Sequence, residues 1–142
     1  MASSSAASSL AAALGSPPAE KLSRENFLYW KMQVLPTLRG AQVMELLEGS
    51  DPAPAKTMEV EGSAVANPAY SAWLARDQQV VSFLTKSMNK DLLSHMFGLQ
   101  HASEIWEAIE ALFASESKAK VAMLRAALIN TKKRDMSASQ FI

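Results

Sequence analysis

The sequence predicts an all-α fold, a bundle of five or six short helices behind a disordered leader. Two observations predict it. From Asn26 onward apolar residues recur at steps of three and four, and no segment alternates at period two for long enough to propose a sheet. Glycine, proline and short polar stretches also punctuate the ends of those apolar runs, as they do at helix ends.

The first twenty residues, MASSSAASSLAAALGSPPAE, are Ala/Ser-rich and close on Pro17 and Pro18. They lack the basic n-region and solid apolar core of a secretory signal, and the arginine of a typical transit peptide. Residues 1–20 are therefore expected to be a disordered leader, with one helical domain over 21–142. In NFLYWKMQVLPTLRG, Phe27, Trp30, Val34 and Leu38 share one face, Asn26 stands at the cap position, Pro36 predicts a kink and Gly40 a stop. A short helix, AQVMELLEG, runs to Gly49. Residues 49–67 hold two prolines and two glycines without a helical stripe, which predicts a loop.

Asn67 followed by Pro68 predicts the capped start of a long helix carrying Tyr70, Trp73, Leu74, Val81 and Leu84 as its stripe. A brief helix from about Lys90 to Met96 follows, ending at Gly98. Next, SEIWEAIEALF sets Ile105, Trp106, Ile109, Leu112 and Phe113 against Glu104, Glu107 and Glu110, the clearest amphipathic helix in the chain. ASESK reads as a polar break, and AKVAMLRAALINTKKR as a further helix with Val121, Leu124 and Leu128 on one face. MSASQFI has the capping box and hydrophobic staple of yet another helix start, at Ser137, Gln140, Met136 and Phe141. Three tryptophans and their aliphatic neighbours are expected to hold the bundle, each contributing about 2 kcal/mol or more when buried.

Composition narrows the chemistry. Fourteen basic and fourteen acidic residues leave no net charge, so attraction to nucleic acid has to come from local patches. With no cysteine the chain has no disulfide, thiol nucleophile or Cys-based zinc site. No run is long and apolar enough to cross a bilayer. His95 and His101 lack a carboxylate at metal-ligand spacing, and Glu104, Glu107 and Glu110 occupy the face opposite the stripe. Hydrolase, P-loop and dinucleotide fingerprints are missing as well. The reading is no enzyme, with no catalytic residue, metal, cofactor or small-molecule substrate.

Two features remain. Asp77 falls on the stripe, where a carboxylate is costly unless partnered, and predicts an ion pair or cap with a neighbouring helix, Lys31 and Arg39 being the nearest candidates. From Ser117 to Arg134 the chain carries Lys118, Lys120, Arg125, Lys132, Lys133 and Arg134 without an acid. Helix-end electrostatics accounts for the last three. The alternative is weak RNA contact, without the interleaved aromatics of a stacking platform.

The order of these segments closely resembles the Gag polyprotein of plant copia-type LTR retrotransposons. The matching pieces are Asn26, Phe27, Trp30 and Lys31, the Gly49 loop, Trp73 with Asp77, Trp106 in SEIW, and the Ser137–Phe141 start. Together they span about residues 21–142, with Phe27, Trp30, Trp73, Asp77 and Trp106 as the motif and core positions. The resemblance implies a capsid-like, self-associating structural domain whose partners are copies of itself or related Gag chains. It implies a virus-like-particle setting in the cytoplasm, with the nucleus as alternative. In that family the chain continues to a zinc knuckle and to enzymatic domains, so the resemblance implies a truncated piece of a longer polyprotein. The alternative is a domesticated helical module that binds Gag or a host protein.

Overall fold

The computed structural model describes residues 9–140, with the side chains of 115–117 and 137–140 outside the description. Two compact units are distinguished, Met1–Ile109 and Glu110–Ile142.

In the first unit, residues 9–14 form a short helix, α1, with Leu10 and Leu14 buried. This helix falls within the stretch expected as a leader. Ala/Ser-rich sequence has high helix propensity when two leucines four apart have a surface to cover. Leu22, fully buried, makes a parallel bridge with Met88: its N–H donates to Ser87 O at 2.7 Å and its carbonyl accepts from Asn89 N–H at 3.0 Å.

Helix α2 spans Phe27–Gly40 and buries Phe27, Trp30, Val34 and Leu38, the stripe that the spacing predicts. Asn26 does not cap it through its side chain. Its Oδ1 accepts from Ser23 N–H and its Nδ2 donates to Lys21 O, so it organises the approach to the helix. Pro36 lies inside α2, and the helix continues through it to Gly40. Gly40 is not the left-handed stop; Gln42 takes positive φ, 59°, two residues on. Helix α3, Met44–Glu48, buries Leu46 and Leu47 and ends on Gly49 at φ 75°, a conformation glycine adopts without strain.

The expected loop contains a hairpin. Strands β1, Thr57–Val60, and β2, Ser63–Ala66, pair antiparallel across Glu61 and Gly62, whose φ values of 52° and 81° suit a two-residue turn of primed type. Every residue of both strands is exposed, so neither face needed the alternation that marks a half-buried strand. Asn67 closes the hairpin through its N–H to Lys56 O and its Nδ2 to Ala55 O. Its Oδ1 accepts from Ala69 N–H to start α4, Pro68–Lys86, with Pro68 in the first turn.

Helix α4 buries Asp77, Val80, Phe83 and Leu84. The predicted stripe is offset toward Leu74 and Val81: Leu84 is buried, while Tyr70, Trp73, Leu74 and Val81 are only half-buried. Helix α5, Lys90–Ser94, is capped by Asn89 Oδ1 accepting from Leu92 N–H. The final helix, α6, spans Ala102–Gln140. Within the first unit it buries Ile105, Trp106 and Ile109. Trp30 and Trp106 meet at 6.2 Å between ring centroids and Phe27 stacks on Trp30 at 6.4 Å, so two tryptophans rather than three make the aromatic core.

The second unit is the continuation of α6. Phe113 is buried; Leu112 and, beyond it, Met123, Leu124, Leu128 and Ile129 are exposed. ASESK is not a break, since residues 114–118 are helical, and no glycine or proline interrupts 102–140. Nor do Ser137–Gln140 start a new helix: their backbone belongs to α6, and Phe141 lies outside the described residues.

Candidate functional site

The densest polar arrangement is built by one face of α4. Asp77 is 1% exposed. Its Oδ1 accepts from Ala102 N–H at 3.0 Å, and its Oδ2 accepts from His101 Nδ1 at 2.9 Å and Gln78 Nε2 at 3.0 Å. This carboxylate therefore caps α6 from another helix, where the first backbone N–H groups lack acceptors and the dipole favours negative charge. The sequence requires a partner for Asp77; the structure supplies His101 and a helix start, not Lys31 or Arg39. Lys31 instead lies 5.5 Å above the Phe27 ring.

Three neighbouring residues extend the arrangement. Trp73 lies 5.5 Å from the His101 ring and donates its Nε1–H to Asp51 O at 2.9 Å. Arg76 donates to Gln42 O at 3.2 Å and approaches the Asp51 carboxylate at 3.7 Å. Gln78 Nε2 also donates to Gln100 O at 2.9 Å. The Trp73–Gln78 stretch of α4 thus fastens the Gln42 turn, the segment after α3 and the start of α6. Beside it opens a groove of about 700 Å³, walled by Pro54, Tyr70, Trp73, Val81, Leu99 and His101, with Lys56 5.8 Å over the Tyr70 ring. Among the described residues no group of three or more His, Asp or Glu is placed to hold a metal ion.

The remaining sequence candidates fall apart in space. His95 ends α5, and its Nε2 is 3.2 Å from Arg24 Nη2. Arg24 also pairs with Asp91 at 2.9 Å, and this hydrogen bond and charge hold the Asp91 carboxyl below its ordinary pKa. Lys118, Lys120, Arg125, Lys132, Lys133 and Arg134 are all exposed along the second unit of α6, with no aromatic residue between them.

The family profile described as gag-polypeptide of LTR copia-type matches residues 34–140, most of the chain. This chain belongs to that family. Two curated relatives of the Gag chain come from Arabidopsis thaliana. It is 28% identical over 105 residues to the retrovirus-related Pol polyprotein from transposon RE2, and 27% identical over 108 residues to that from transposon RE1. These alignments cover 74% and 76% of the chain but 7% of each relative, so it spans a small part of the polyproteins it matches. No solved structure matches. The α4 face that holds Asp77, and the Trp30–Trp106 contact except for Trp30 itself, fall inside the matched span. Among the described residues no helix is long and apolar enough to cross a membrane.

Proposed function

We infer that this Gag chain is a structural, non-catalytic, capsid-like domain that self-associates, as a building unit of a cytoplasmic particle. The observation that carries the reading is the exposed apolar series on α6, Met123, Leu124, Leu128 and Ile129, in a chain whose family is Gag. Apolar side chains grouped on one exposed helix are the usual mark of a surface used for association. Light scattering across a concentration series is the test: mass should rise with concentration, and a monomer at the highest concentration overturns the reading.

RNA is a secondary partner in this proposal. Six exposed cations between Lys118 and Arg134 supply attraction without base stacking. Affinity should fall with salt along a shallow slope, about 0.7 per phosphate contact for single strands. Binding that is unchanged by salt removes RNA from the proposal.

A further inference from the structure

We propose that the basic, apolar face of α6 around Leu124 and Leu128 docks on the exposed face of the β1–β2 hairpin of a second copy of this chain. The proposal deepens the self-association reading and rests on it.

Each surface lacks what the other offers. On the hairpin, Met58 pairs with Val65 and Val60 with Ser63, so period-two geometry sets Met58, Val60 and Val65 on one face. They are 39–45% exposed, and a two-stranded hairpin gains stability from whatever covers its apolar face. On α6, Val121, Leu124 and Leu128 follow helical spacing; Leu124 is 55% exposed and Leu128 70%. Four strand residues extend about 13 Å and the seven steps from Val121 to Leu128 about 10 Å, so the two apolar faces agree in length.

Charge chooses the pairing. Residues 110–142 hold six basic and three acidic side chains, residues 1–109 eight basic and eleven acidic. Within the hairpin Glu59 and Glu61 are the charged residues, while Lys56 is turned toward Tyr70. Arg125 and Lys132 flank the Leu124–Leu128 line on one side and Lys120 on the other. Two α6 faces brought together would set cations against cations, whereas α6 on the Met58–Val60–Val65 face sets cations beside Glu61 at the hairpin turn, Glu59 lying on the other face. Such a contact joins different surfaces of successive copies, so it propagates rather than stopping at a two-fold dimer.

The chain has no cysteine, so introduced thiols report without background. Full-length Val65→Cys and Leu128→Cys variants, mixed and mildly oxidised, should give the mixed disulfide in excess over either homodimer. Leu128→Cys homodimers in excess would show α6 pairing with α6, and would overturn the proposal. So would a double variant that closes only within one chain at concentrations where the parent associates. Glu61→Lys should weaken association about tenfold, and Arg125→Glu with Lys132→Glu in the other copy should restore it, while Glu59→Lys on the opposite face should leave it unchanged. Association should also weaken as salt rises, and association that strengthens with salt contradicts charge selection. All these positions are exposed, so unchanged circular dichroism is expected and confirms folded variants. Light scattering separates the two levels. Association without the mixed disulfide removes the docking and leaves self-association standing, while a monomer throughout removes both.

Discussion

Helix α2 and the second unit of α6 carry similar apolar patterns and put them to opposite use. In α2 the stripe Phe27, Trp30, Val34 and Leu38 is buried to the last member. Between Val121 and Leu128 the same spacing leaves Leu124 and Leu128 in solvent. Amphipathic spacing therefore establishes that a helix has an apolar side, and says nothing of whether that side is covered within one chain. The difference also separates stability from association. Substitutions in the α2 stripe should unfold the monomer, and those around Leu124 should change only what the monomer meets.

The sharpest break of that contrast is Trp30→Ala, which removes a ring packed between Phe27 and Trp106 and should cost about 3–5 kcal/mol in urea unfolding. Asp77→Ala comes next, at about 2–3 kcal/mol, because the buried Ala102 N–H and the start of α6 lose their charged acceptor. An unchanged melting temperature would show that α6 needs no cap from α4. Gly49→Ala should cost about 1 kcal/mol, from the left-handed backbone alone, since a Cβ there meets nothing within 4 Å. Leu124→Ala should shift monomer stability by no more than about 0.5 kcal/mol while reducing association. A large loss on unfolding would mean that this part of α6 is not exposed in solution.

The smallest effect concerns pH. Arg24 lowers the Asp91 pKa in the folded chain, so the pair favours folding above the ordinary carboxylate pKa and loses that contribution as pH falls through the folded value. Asp91 is exposed, which keeps the effect small. Arg24→Ala should return the Asp91 titration, followed by NMR, to the ordinary range.

Legibility in the sequence followed burial. Where a helix is covered on one side, as in α2 and at Ile105, Trp106, Ile109 and Phe113, spacing identifies the core residues, though it also includes Leu112, which is exposed. The predicted α4 stripe leans toward Leu74 and Val81, whereas the buried side, with Asp77, turns the other way to Val80 and Phe83; Tyr70 and Trp73 lie on that side, one heptad before Asp77 and Val80. The hairpin went unread because both its faces are wet; its one local signal is Glu61–Gly62, a two-residue turn between short segments containing Thr57, Val60 and Val65. ASESK reads as a break because it is polar, yet polarity reports exposure, and only glycine, proline or a capping arrangement reports an end. The Asp77–His101 contact joins residues 24 positions apart, and the sequence could demand a partner for the carboxylate without choosing it.

The parallel bridge at Leu22 has a consequence for synthesis. Both of its backbone hydrogen bonds go to Ser87 and Asn89, so Leu22 waits for more than sixty further residues before it has a place to lock. At ribosomal speeds of about 5–20 residues per second, that delay is roughly 3–13 s. Trp30 waits longer still for Trp106, and until then its ring lacks the indole it packs against in the folded chain.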